Sequence, residues 1–304
     1  MPPNFDFEPI STTLGNSNQE AKLYLVGAGP GDPELLTIKA LRIISSADVV
    51  IADNLISTSI LELCGGQVII ASTKHGKKGA ADESQDEIMK LTLQALQTRL
   101  PIPNPVNSFI NSNSTSNSNS LLSSLVNFNS NNVPLENTSK PFIVVRLKNG
   151  DPFVFGRAGE EIEYFSKNQF SIEVISGISS CLLAPLVGNI PVTLRGVADQ
   201  FLVTTAQGKG GSIPELPPYS STRTTIFLMP VARLENLVSE LTKIGYPEDC
   251  PSALVQRASF EDQKVVKTIL KDIPEVSKSE NIKSPSILII GWTVNALEFK
   301  KDVN

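Results

Sequence analysis

The sequence predicts an α/β protein built as two α/β domains, and three observations carry that expectation. Short apolar, β-branched runs alternate with helical-period segments through the first half of the chain, the pattern of a largely parallel sheet covered by helices. Two of those runs end in glycine clusters, GAGPGD at residues 27–32 and KNGDPFVFG at residues 148–156, each followed by a helical segment. After the turn-like GNIP at residues 188–191, a further set of strand-like runs resumes with a mixed pattern.

In order, residues 22–29 form an apolar run that feeds the first glycine turn. Residues 33–46 place Leu35, Leu36, Ile38, Leu41, Ile43 and Ile44 at helical spacing, with Pro33 suited to a first turn. Short strands are expected at 47–53 and 67–71, with helices at 57–63 and 83–99. The stretch 101–139 is dominated by Asn and Ser and has few charges, the composition of a flexible surface insertion. A strand at 141–147, a helix at 157–167, a strand at 171–175 and a helix at 178–187 follow. The second half is expected to hold strands at 200–205, 224–228, 253–256, 264–268 and 286–291, with helices at 233–244 and 269–276. The organisation read from this is a disordered leader at 1–20, an N-terminal domain at 21–189 containing the insertion, a C-terminal domain at 190–296 and a tail at 297–304.

A net charge of −5 argues against nucleic acid as the main partner, because phosphate binding wants a basic surface. An anionic substrate would need its cationic groups gathered in a cleft. The three cysteines, Cys64, Cys181 and Cys250, are far apart and form no metal or disulfide pattern. With His75 as the single histidine, a multi-histidine metal site is excluded. No run of membrane-spanning length and no secretory leader is read, so a cytoplasmic protein without a membrane partner is expected.

The first glycine loop departs from the dinucleotide fingerprint, since Pro30 and Pro33 remove amides a pyrophosphate would use. Hydride-transfer chemistry is weakened accordingly, and a ligand lacking phosphates fits better. Two glycine loops at the carboxyl ends of parallel strands would line one crevice. Asp151, Arg146 and Lys148 in that region read equally as a turn carboxylate and surface charges.

Four blocks settle the resemblance: LVGAGPGDPELLTIKALRIISSADVVIADNLIS at 25–57, VVRLKNGDPFVFGRAGEE at 144–161, SGISSCLLAPLVGNIPVTLRGVADQ at 176–200 and SPSILIIGWTV at 284–294. In these the chain resembles the uroporphyrinogen-III C-methyltransferases of the tetrapyrrole methylase family. The resemblance implies a homodimer with S-adenosyl-L-methionine folded into the cleft between the two domains of each monomer. It implies transfer of two methyl groups to carbons of uroporphyrinogen III, giving precorrin-2 on the way to sirohaem, with no metal. A precorrin methylase or a diphthine synthase of the same fold, and a non-catalytic tetrapyrrole-binding homologue, stand as alternatives.

The same resemblance assigns acid–base roles to Asp53 and Lys74, although Asp53 alone would read as a helix cap and Lys74 as surface charge. It assigns donor contacts to Pro30, Asn149, Gly150, Asp151, Val154, Ser179, Ser180, Met229 and Ala258. Asn149 and Ala258 stand where the family has glycine, and Thr73 and His75 flank Lys74 where Gly and Arg are usual. For a substrate rich in carboxylates, Arg146, Arg157 and Arg195 are the expected cationic contacts, because a guanidinium binds carboxylate bidentately. Arg157 has an alternative as a first-turn helix residue paired with Glu160 or Glu161.

Overall fold

The computed structural model describes residues 20–71, 80–102, 108–109, 140–208, 212 and 214–297. The leader, most of the Asn/Ser stretch, and Lys74 with His75 lie outside the described residues. The first sheet has six strands: β1 (Ala21–Gly27), β2 (Val49–Ala52), β3 (Gln67–Ile70), β4 (Ser108–Phe109), β5 (Phe142–Lys148) and β6 (Ile172–Ile175). Their spatial order is β4-β3-β2-β5-β1-β6, parallel throughout except for β4. Every residue of β5 is buried, as expected of a central strand covered on both faces.

Helices α1 (Ile38–Ser46), α2 (Thr58–Leu61), α3 (Ala80–Thr98) and α4 (Ala158–Lys167) accompany this sheet. The segment expected as one helix from residue 33 is divided. Pro33–Leu35 is a single 3-10 turn capped by Asp32, and α1 restarts after Thr37, whose side chain accepts from the Ala40 amide at 3.1 Å. Two N-caps five positions apart explain the break, because each cap residue takes an extended backbone. Within the Asn/Ser stretch, Ser108–Phe109 adds a short antiparallel edge strand beside β3. At its start, Ile102 is buried and exchanges two hydrogen bonds with the Gln67 side chain.

The second sheet is mixed, in the order β10-β9-β11-β8-β7. It comprises β7 (Gln200–Thr205), β8 (Arg223–Leu228), β9 (Pro251–Gln256), β10 (Lys264–Ile269) and β11 (Ser286–Ile290). One face is covered by α6 (Leu234–Lys243) and α7 (Ile273–Ser279) around Phe227, Leu241, Leu254 and Leu288. The other receives α5 (Ser180–Val187), which follows β6 in sequence yet packs on β9 and β11. That layer also takes in Leu35, Val154 and Ile178 from the loops of the first sheet. A shared apolar layer therefore fixes the two sheets relative to each other.

Candidate functional site

The carboxyl ends of β1, β5 and β6 converge, and glycine is what lets them. A Cβ on Gly27 would lie 2.5 Å from the Gly177 amide nitrogen, and one on Gly177 would lie 2.3 Å from the Gly150 carbonyl oxygen. Gly29 and Gly150 exchange backbone hydrogen bonds of 3.2 and 2.8 Å, so the two glycine loops are bridged directly. Gly150 also needs its freedom for a φ of +68°, but a Cβ there would meet nothing nearer than Ser179 Cα at 3.8 Å. Beside it the backbone is open. Asp151 closes the cluster: Oδ2 accepts from Ser176 Oγ at 2.6 Å and from the Gly177 amide at 3.2 Å, and Oδ1 from the Phe153 amide at 2.9 Å. Ser57 Oγ donates to the Gly31 carbonyl at 2.6 Å, tying the loop after β2 to the same group.

The second sheet meets this cluster at one end. Because β11 runs antiparallel to both β8 and β9, the carboxyl ends of β8 and β9 share an edge, and Met229 and Ala258 follow them. Ser259 Oγ accepts from the Asp32 amide at 3.1 Å, and a Cβ on Gly31 would strike the Phe260 ring at 2.3 Å. Met229, Arg257 and Ser259 all hold positive φ, at 55°, 46° and 72°. Left-handed backbone at three non-glycine residues on one edge is costly, and such strain gathers at functional sites.

Pro30, Asn149, Gly150, Asp151, Val154, Ser179, Met229 and Ala258 thus lie on the loops that end these strands, and Ser180 opens α5. Pro30, Gly150, Ser179 and Ala258 are buried, whereas Met229 is 48% exposed. Ser179 has a local task as N-cap of α5, accepting from the Cys181 amide at 3.4 Å. At the bridged glycine loops, backbone and small side chains predominate.

Asp53 follows β2 directly. Its Oδ1 is bonded by Arg146 Nη2, and its Oδ2 accepts from the Asn149 amide at 3.2 Å. Behind it stands a charge network that sequence inspection did not find. Arg146 and Lys148 point from the same face of β5 into the layer holding α3 and α4, where Glu161 waits without exposed surface. Lys148 Nζ donates to Glu161 Oε1 at 2.5 Å, Gln85 Nε2 donates to the same oxygen at 2.7 Å, and Arg146 Nε faces Glu161 Oε2 at 3.5 Å. A signal was available: two cations at i and i+2 in an otherwise apolar strand demand buried anions.

Burial acts to raise the Asp53 carboxyl. The charges of Arg146 and Lys148, with the hydrogen bonds from Arg146 and Asn149, outweigh it and hold the group below the ordinary aspartate value. Burial and the neighbouring Arg146 charge push Lys148 below its ordinary value, against the pull of Asp53 and Glu161. A carboxyl depressed in the folded state contributes stability that is present above its unfolded value and lost as pH falls through the folded one. The stability difference between wild type and Asp53→Asn is therefore expected to hold at neutral pH and to shrink as pH falls below the ordinary aspartate value, as followed by urea unfolding. A difference independent of pH would contradict the pairing.

The three arginines separate. Arg146, expected as a substrate contact, lies buried in the fold. It is 1% exposed, and Nη1 donates to the Ile51 and Leu147 carbonyls at 3.2 and 3.0 Å, so its guanidinium is committed inside the fold. Arg157 caps α4 with a φ of 58° and pairs with Asp82 at 2.9 Å and Glu160 at 2.6 Å, as its helix-end alternative expects. Arg195 stands exposed on a tight turn closed by two Leu194–Ala198 backbone bonds, with no ion pair among the described residues. The described residues contain no group of three or more His, Cys, Asp or Glu suited to a metal. None of their helices is long and apolar enough to cross a membrane.

Fold and site together define an α/β protein of two sheets, with two glycine loops bridged at the carboxyl edge of the largely parallel sheet and a buried charge network behind them. Residues 22–100 and 133–274 match the model of the tetrapyrrole (corrin/porphyrin) methylases. The chain belongs to this family. It is 34% identical over 302 residues to the probable uroporphyrinogen-III C-methyltransferase of Schizosaccharomyces pombe, covering 96% of this chain and 52% of that protein. The chain thus spans about half the length of that relative. The uroporphyrinogen-III C-methyltransferase of Methanocaldococcus jannaschii is 35% identical over 283 residues, covering 91% of this chain and 98% of its own. Among solved structures, uroporphyrin-III C-methyl transferase from Thermus thermophilus complexed with S-adenyl homocysteine is 29% identical with a TM-score of 0.66. That likeness covers 91% of this chain and 94% of the other.

Proposed function

We propose that the chain is an S-adenosyl-L-methionine-dependent C-methyltransferase acting on uroporphyrinogen III, which it converts through precorrin-1 to precorrin-2 for sirohaem. The observation that carries this is the junction of two glycine loops beside a fixed, anionic Asp53, in a chain similar along most of its length to proteins of that name. When bound, the donor supplies an activated sulfonium methyl, so the protein's work is to orient, to exclude water and to manage protons.

Gly150, with Asn149, Asp151 and Val154, would form one wall of the donor site, and Pro30 with Ser179 and Ser180 another. Met229 and Ala258 would close it from the second sheet. Asp53, held ionised by Arg146, would act as the acceptor of a proton or of a pyrrole N–H, a role that needs an anion at neutral pH. Lys74 is kept as its partner in acid–base work. Arg195 is the cation best exposed to meet substrate carboxylates; Arg146 would act through Asp53, and Arg157 would contribute only on release from its own pairs. A homodimer is supported by the exposed apolar side chains of Leu182 and Leu186, one turn apart on α5.

The test is anaerobic incubation of the protein with uroporphyrinogen III and labelled S-adenosyl-L-methionine. Label is expected in a dimethylated product. Absence of label transfer by a folded, donor-binding protein would overturn the reading.

A further inference from the structure

We propose that Glu161 is a positioning residue for the transfer: it holds Arg146 and Lys148 behind the sheet edge so that the Asp53 carboxylate is presented in one orientation. The inference rests on the role given above to Asp53. It starts from charge balance. Asp53, Glu161, Arg146 and Lys148 make a neutral quartet, and three of the four are essentially without exposed surface, at 0%, 1% and 3%. Asp53, at 25%, is the only member that reaches solvent, and it does so at the edge where α/β sheets bind ligands.

The division of contacts gives Glu161 its task. Lys148 carries a flexible ammonium that would bond either carboxylate. Glu161, fixed in turn by Gln85, engages it on the inner side and leaves Asp53 to Arg146 and the Asn149 amide. Arg146 stands between the two anions, bonded to Asp53 and within charge-pairing distance of Glu161 Oε2 at 3.5 Å. Without the Glu161 charge, two buried cations would share one carboxylate. Lys148 would then compete with Arg146 for Asp53, and the orientation would be lost. A buried ion pair is weak evidence for stability, since apolar residues of similar volume often serve as well. An orienting task explains why four charges stand here instead of a packed apolar layer.

The test compares Glu161→Gln, Glu161→Gln/Lys148→Met and Asp53→Asn, each measured for folding, donor affinity and turnover. Glu161→Gln is expected to lower kcat at least about tenfold while the S-adenosyl-L-methionine Kd changes by less than about threefold. The double variant restores the charge balance and is expected to recover at least about fivefold of that loss, a coupling that additive packing damage would not give. Should Glu161→Gln not fold, the double variant decides alone: turnover well above that of Asp53→Asn supports the proposal, and turnover as low overturns it. Unchanged kcat in folded Glu161→Gln, with Asp53→Asn impaired, overturns the positioning role and leaves the reading of Asp53 standing. Full turnover in Asp53→Asn overturns both.

Discussion

Asp53→Ala is expected to cut dimethylated product by about 100-fold or more, the range in which a removed acid–base group acts. The expectation follows from position and charge together. Asp53 lies at the end of β2, in reach of the Asn149 amide on the second glycine loop, and Arg146 and Lys148 keep it ionised. Of the charges gathered there, Asp53 alone is partly exposed, at 25%, at the edge where α/β sheets bind ligands. Alanine also strands the buried Arg146, which should cost stability of about 3 kcal/mol. Asp53→Asn separates the two effects: it keeps a hydrogen-bond acceptor for Arg146 and loses the charge. Impaired turnover in a folded Asp53→Asn protein with normal donor affinity is the expected pattern. Full activity in either variant would remove Asp53 from the chemistry and leave the family assignment intact.

The second large effect is expected at a residue that bears no chemistry. Gly177→Ala would place a carbon 2.3 Å from the Gly150 carbonyl oxygen and 2.7 Å from the Gly27 carbonyl carbon, both backbone atoms. Neither can retreat without opening the Gly29–Gly150 bridge. Destabilisation of about 3 kcal/mol is expected, as for severe overpacking. Donor affinity should fall at least about tenfold, because a displacement of about 1 Å at a binding loop has such consequences. Gly159→Ala is the internal control. That glycine sits in the first turn of α4, where a Cβ meets nothing within 4 Å, so the change should be neutral or stabilise by about 0.5 kcal/mol. Calorimetric unfolding and titration with S-adenosyl-L-methionine check both. Equal behaviour of the two variants would contradict the interlocked-loop account.

Much of this was legible in the chain because the signals are local. The alternation of strand and helix, the glycine loops and Asp53 after the second strand all depend on neighbours in sequence. So does β7, whose bounds Gln200–Thr205 coincide with the expected ones. The break before α1 was hidden because Leu35, Leu36 and Ile38 keep a helical spacing across two successive caps. The crossing of α5 to the second sheet was hidden for a different reason: its apolar composition says that it is buried, and not against what. The packing of Arg146 was hidden on the same ground. It was read as a substrate contact because a guanidinium binds carboxylate, and strand parity turns it with Val144 and Phe142 into the layer holding Phe165. Glu161, which reads as a helix first-turn residue, answers it across the layer. Only three-dimensional pairing reveals that the two belong to one network.

Methylation of uroporphyrinogen III itself is the activity proposed for this site. The most direct measurement offers the purified protein uroporphyrinogen III and a later precorrin side by side, anaerobically, with labelled S-adenosyl-L-methionine. The account predicts labelled dimethylated product from uroporphyrinogen III with the higher kcat/KM. Methylation of the later precorrin with uroporphyrinogen III left untouched would contradict it.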